Sequence, residues 1–262
     1  NYMNPATYSF LNQTSFEFGF RSSFFNMSQD NLNQRNFVSG LSNIGLGFPV
    51  SQNIGFTVGL LPYSSVGYNV TSQVVNDSDI GLIDYTYSGS GGLNKILIGA
   101  AWGLTKSENI HISIGTNLNY FFGSIDKITT VSTENSSITF REQKSNIIND
   151  FNFDIGLLVN YPINDYVLNL GTTFTPKTNL QSNTNLFQHT YITSGDYESF
   201  IDTILYVNGD KDHITMPFSY SMGVSIQSGS KWLMGLDYNY TNWENFNIVE
   251  SYMQDKSEIV FG

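Results

Sequence analysis

Cysteine is absent from this chain of 262 residues, which removes disulfides, thiolate metal sites and cysteine nucleophiles together. Charge is scarce: Asp, Glu, Lys and Arg make up 13% of residues, about half the usual fraction. What charge there is leans acidic, with a net charge of −11, and this argues against nucleic acid, because phosphate contacts need Lys and Arg. No run of about 18 apolar residues exists, so no transmembrane helix is expected. The chain opens at Asn1 with neither a charged n-region nor an apolar h-region; the expectation is a removed signal peptide or residues upstream. Reactive chemistry is also thin. His111, His189 and His213 are far apart in sequence and not at metal-ligand spacing, and no phosphate loop, nucleophile elbow or paired-carboxylate context stands out. Asp210-Lys211-Asp212-His213 lacks the ligand series of a calcium loop and reads as a solvated charge cluster. The expectation is a non-enzyme without metal or cofactor.

Aromatics are plentiful, at 15% of residues, and they alternate. In Ile110–Phe122, Ile110, Ile112, Ile114, Leu118, Tyr120 and Phe122 are separated by His111, Ser113, Gly115, Asn117 and Asn119, over about twice the length of an ordinary soluble strand. Phe151–Tyr161, Phe218–Ile226 and Trp232–Tyr240 repeat the pattern. One face of each strand wants an apolar solvent while the other is small and polar, as in the wall of an outer-membrane barrel. The slightly negative mean hydropathy of −0.16 does not oppose this, since the two faces cancel in any window average. A soluble β-sandwich also alternates. Three features favour the membrane: a polar face of Gly, Asn and Ser rather than Lys, Glu and Arg, strands of 10 or more residues, and connections whose lengths alternate by side.

Nine strands are predicted, at about 14–24, 37–49, 54–68, 95–104, 110–122, 148–161, 166–175, 216–227 and 231–243. Short turns near Pro49–Asn53, Thr105–Asn109, Pro162–Asp165 and Gln227–Ser230 mark the periplasmic side. The other connections, of about 12, 25, 25 and 40 residues, are expected outside. They hold Asp77, Asp79, Asp84, Glu134, Glu142, Asp196, Glu198, Asp202, Asp210 and Asp212, a water-exposed surface. Parts such as Ile80–Tyr87 and Ser137–Gln143 still alternate, so strands are expected to extend beyond the bilayer as hairpins. A single-chain bacterial barrel has an even number of strands, and an open edge in lipid leaves backbone groups unsatisfied. Glu258–Gly262 is read as the start of a tenth strand, with further strands, or another chain, completing the wall.

Three segments are more specific. Asn4-Pro5-Ala6 precedes the first strand, where an ordinary turn is the plain reading. Leu60-Leu61-Pro62-Tyr63, followed by Gly67, puts a proline inside the third strand, where it removes a ladder hydrogen bond and belongs at a bulge or gap. Leu236–Phe246 carries Tyr238, Tyr240 and Trp243, which read with Tyr120, Phe122 and Trp232 as anchors at the membrane–water interface.

Together with Gly91–Gly123 and Thr175–Leu180, these segments resemble the FadL/TodX family of outer-membrane transporters for hydrophobic compounds, in the form common among Bacteroidota. The resemblance implies a fourteen-stranded antiparallel up-and-down β-barrel, residues 14–262 here, with residues 1–13 as the remnant of an N-terminal hatch. It also implies lateral diffusion: a hydrophobic ligand such as a long-chain fatty acid is caught among the outer loops. It then enters a pocket and leaves through a gap at the kinked third strand. Asn4, Pro5 and Ala6 would be the hatch contact against that kink, and Pro62 to Gly67 the kink itself. Implied partners are outer-membrane lipid, lipopolysaccharide and a hydrophobic small molecule. An accessory barrel of a surface protein-secretion complex, with a protein partner, and a general porin remain as alternatives.

Overall fold

A computed structural model describes residues 2–29, 32–75, 81–107, 110–195, 197–244, 247–248, 251–252 and 256–261. Asp77, Asp79 and Asp196 of the expected acidic loops, and the two terminal residues, lie outside these. After a 3-10 turn at Pro5–Phe10 the chain is almost entirely antiparallel strand. The strands are β1 (Ser15–Gln29), β2 (Leu32–Ser51), β3 (Ile54–Val75), β4 (Leu82–Ser107), β5 (Ile110–Thr133), β6 (Ser136–Ile163), β7 (Tyr166–Thr175), β8 (Thr178–Ser194), β9 (Tyr197–Met216), β10 (Ser219–Ser228) and β11 (Trp232–Thr241). The short β12 (Asn247–Ile248) and β13 (Ser251–Tyr252) pair with each other, and β14 (Lys256–Phe261) pairs with β11.

The wall runs in the order β1-β2-β3-β4-β5-β6-β7-β10-β11-β14 within a twelve-stranded sheet. It is an up-and-down antiparallel barrel wall, and β14 fulfils the expected tenth strand near Glu258. The alternation sets its two faces. Ile96, Ile98, Ile114, Leu118, Phe153, Ile155 and Leu157 are exposed on the outer face, whereas Leu97, Asn117, Asn119 and Asn152 are buried on the inner one. Aromatic rings rim the outer band at both ends. Tyr166 and Trp232 pair at 5.9 Å at the short-turn end, and Tyr120 meets Phe122 at 6.0 Å and Phe151 at 4.9 Å at the other. Tyr220, Tyr238 and Tyr240 continue the upper rim, with ring centroids 5.3–6.0 Å apart. Trp232 and Tyr240 stand eight residues apart on β11, about 26 Å along the strand at roughly 3.3 Å per residue, and about 20 Å along the barrel axis at a tilt near 40°.

The expected extension of strands beyond the bilayer is present and goes further, while the 40-residue loop and the place of Trp243 need correcting. The long outer connections are mostly strand: β4, β5 and β6 run 26, 24 and 28 residues. The 40-residue loop expected after β7 is the β8–β9 hairpin. This hairpin stands on the outer half of β6, which pairs with β7 from Ile155 to Ile163 and with β8 from Ile138 to Ile148. Trp243 does not stand in the lipid-facing rim. It packs from within against a buried cluster of Leu93, Phe121, Ile125, Ile148, Leu180, Ile214 and Met216, because the chain leaves the wall after Thr241.

Candidate functional site: a plugged lumen in a split wall

The N-terminal segment crosses the inner end of the lumen. Asn4 is extended and its side chain accepts from Ala6 N–H at 3.0 Å, capping the 3-10 turn that Pro5 opens. Three longer bonds anchor the turn to the wall. Asn4 Nδ2 donates to the Leu157 carbonyl at 3.1 Å, Ser113 Oγ to the Ala6 carbonyl at 3.0 Å, and Tyr8 OH to Asn117 Oδ1 at 3.1 Å. Burial raises the Tyr8 phenol above its ordinary pKa, so it remains a donor.

Glycines make room for this segment. Gly55 on β3, Gly99 on β4, Gly115 on β5 and Gly156 on β6 form a groove across four strands beneath residues 4–8. A Cβ on Gly115 would lie 2.6 Å from Ala6 N, and one on Gly156 would lie 2.8 Å from Pro5 Cδ; neither distance is sterically allowed. Asn4, Pro5 and Ala6 are thus held by β5 and β6 rather than by the third-strand kink. A Cβ on Gly67 would meet nothing within 4 Å. β2 and β3 are approached instead by Tyr2, against Gly45 and Gly59, by Tyr8, against Gly55, and by Leu11, against Gly47.

Above the plug lies a cavity of about 650 Å³. Leu61, Tyr63, Phe121, Met216 and Trp243 give it apolar walls, and Glu17, Lys95, Asn119, Asn152 and Asp154 give it polar ones. Asn119 Oδ1 and Asn152 Oδ1 are buried there without a protein partner. The buried cluster that includes Phe121 and Met216 borders it.

The wall around this cavity is interrupted twice. β2 and β3 pair only from Ile44↔Leu60 to Ser51↔Ile54. Beyond that point β2 is bonded to β1 and β3 to β4, so the two strands part. Pro62 stands just past the parting, where the β3–β4 register shifts between Pro62 and Ser64. Proline has no N–H to give a ladder and is found at edges and bulges such as this one. Tyr63, the bulged residue, packs edge-on against Phe121 at 4.9 Å.

The second interruption lies on β6, between Ile148 and Ile155, where its partner changes from β8 to β7. Here carboxylates replace ladder bonds. Asp150 Oδ2 accepts from Gln181 N–H at 2.8 Å, while Asp154 accepts from Thr175 Oγ1 at 2.7 Å and Asn119 Nδ2 at 2.8 Å. Pro176 and Pro217 fall between β7 and β8 and between β9 and β10, at the same level.

Outside the membrane band, the hairpin carries its own cluster. His189 stacks on Phe187 at 4.4 Å and lies 5.9 Å from Tyr191 and 6.0 Å from Phe200. Arg141 lies over Tyr191 at 4.2 Å and grips Glu198 with two bonds of 2.7 Å. The histidines are therefore separate in space too: His111 sits at the inner end beside Phe10 at 5.8 Å, and His213 lies on β9 with Nδ1 4.0 Å from Asp212. The glycine groove and the carboxylate-stitched break escaped the sequence reading. Their one signal was the set of small inward-facing residues at matching register on neighbouring strands.

The family model for BamG matches residues 1–262. The chain belongs to the BamG family. This is a family of BAM-complex outer-membrane β-barrels. No curated protein matches the sequence. Among solved structures, the crystal structure of the P. putida toluene transporter TodX is similar, with a TM-score of 0.54 and 15% sequence identity over 99% of this chain and 67% of that one. At that identity the likeness is one of fold: this BamG-family chain is an outer-membrane β-barrel.

Proposed function

We propose that the protein is a non-enzymatic subunit of a BAM complex in the bacterial outer membrane, presenting its β8–β9 hairpin to a protein partner. Family membership supports this, and the observation that carries it is the state of β9. Among the described residues, β9 is laddered on one side only, to β8. Its Tyr197, Ile201, Ile204 and Leu205 are exposed. A long, apolar, unpaired edge is a template for strand addition by another chain. The N-terminal plug speaks against a general porin.

A second reading has its own observation. The cavity reaches the wall where β2 and β3 part, with Ser42, Asn43 and Leu61 in its lining. A hydrophobic compound held there would pass sideways into lipid without crossing water, and burying each CH₂ favours binding by about 0.8 kcal/mol. In this reading residues 1–13 act as a hatch and Pro62 to Gly67 as the gate.

Native mass spectrometry of the gently purified full-length protein separates the two. A stoichiometric complex with BAM subunits is the expected result. A lone barrel carrying an acyl chain would overturn the subunit reading in favour of transport.

A further inference from the structure

The outer hairpin holds a cleft that neither reading uses. It has a volume of about 300 Å³ and lies on the barrel's exterior face, where β5, β6, β8 and β9 run side by side. Phe187 and Tyr206 form one corner, their rings perpendicular at 86° and 5.9 Å apart. Ile128 adds an apolar wall, and Asp126, Gln143 and Asn185 bring a carboxylate and two amides to the same space.

The register fixes which way these groups point. Phe121, Ile125 and Ile148 are buried inside. On β5 the even positions after Phe122 therefore face out, as do the odd positions of β6 before Phe151. Asp126↔Ser145 and Ile128↔Gln143 are outward pairs in the β5–β6 ladder, and Asn185 and Phe187 oppose Ser145 and Gln143 from β8. The cleft is thus continuous with the lipid-facing band, on the same face of the same strands.

Its height follows from the same register. Ile128 is six residues beyond Phe122 of the upper aromatic rim, about 20 Å along the strand and roughly 15 Å above the rim once tilt is allowed for. That is outside the hydrocarbon, beside the barrel, where the sugars of outer-leaflet glycolipids stand. Bare lipid contact does not account for an aromatic corner at this level, and an unpartnered apolar surface there would be a liability.

The chemistry fits that neighbour. A pyranose ring has an apolar C–H face and a rim of hydroxyls that both donate and accept. Perpendicular aromatic rings offer two faces for the first. Side-chain amides and a carboxylate answer the second. The corner is also held in place: Phe187 is backed by His189 at 4.4 Å, and His189 is itself buried among Tyr191 and Phe200. We propose that this cleft binds a saccharide unit of the glycolipid that surrounds the barrel, fixing the outer hairpin against the sugar layer.

The test uses the full-length protein in nanodiscs and, as probe, core oligosaccharide released from lipopolysaccharide by mild acid hydrolysis. Saturation-transfer NMR with a titration is expected to show binding to the unaltered protein. Tyr206→Ala and Gln143→Ala should each weaken it at least tenfold, with heat-modifiable gel mobility retained as the sign of an intact barrel. An unaltered protein that transfers no saturation to the oligosaccharide would overturn the proposal. So would equal binding in both variants, or a photo-crosslinker at position 206 that captures only a BAM subunit in the assembled complex. The last result would leave the subunit reading standing while removing this one.

Discussion

Tyr8 and Asn117, 109 positions apart in sequence, meet inside the barrel, the phenol donating to the amide oxygen at 3.1 Å in a buried setting. The bond ties the plug to β5, and its loss strands an acceptor. Tyr8→Phe is expected to destabilise the seated plug by about 1 kcal/mol. Faster amide exchange at residues 5–10 with unchanged exchange in the wall strands would show it. Equal exchange in both proteins would mean the bond contributes nothing.

Gly156→Ala tests the groove. A methyl at this position meets Pro5, and overpacking of this kind costs about 1–3 kcal/mol. The barrel should still fold, since the clash is with the plug and not with the wall. Single-channel recording in planar bilayers should then find conductance that the unaltered protein lacks.

Asp154 stitches the break on β6 to Thr175 and Asn119. Asp154→Ala leaves both donors without their acceptor, a loss of about 1–3 kcal/mol. The expected readout is a lower temperature for the folded-to-unfolded gel shift, together with faster exchange around Thr175–Gln181.

Glu198 gives a pH dependence. Its hydrogen bonds to Arg141 hold the carboxyl below its ordinary pKa. A lowered folded pKa contributes stability that is present above the unfolded value near 4.5 and fades as pH falls through the folded one. Protection of the hairpin tip, corrected for intrinsic exchange rates, should therefore drop below about pH 4.5. In Glu198→Gln that pH-dependent step should be missing.

For the lateral route the residue to change is Pro62. Pro62→Ala restores an N–H at the parting of β2 and β3, favouring closure of the ladder. If hydrophobic compounds pass there, uptake slows while the barrel stays folded; unchanged uptake would remove the gate.

The strands inside the bilayer were legible because lipid demands an apolar residue at every second position. Ile114 and Leu118, or Phe153 and Ile155, announce themselves. Beyond the rim that demand ends. β8 presents Gln181, Asn183 and Asn185 on the face that would be apolar lower down, so a 17-residue strand reads as a polar loop. Pro217 falls inside the strand expected at 216–227, whereas it and Pro176 stand in the two-residue gaps between β9 and β10 and between β7 and β8. Asn4-Pro5-Ala6 could be singled out, but its seat could not, because nothing local says that Gly115 and Gly156 lie in one row. Trp243 was misplaced for a related reason: composition marks it as an anchor, and only the course of the chain after Thr241 turns it inward.

Among the described strands, β6 alone is bonded along a single edge to two strands in turn, β7 below and β8 above. This makes it the spine of a lever. The hairpin is the arm, about 50 Å long from its 17-residue strand. The proline-flanked crease at Pro176 and Pro217 is the fulcrum. The base of the arm meets the wall at Asp150 and Asp154, and Asp154 also lines the internal cavity. The outer arm and the interior of the barrel therefore share one carboxylate at their junction.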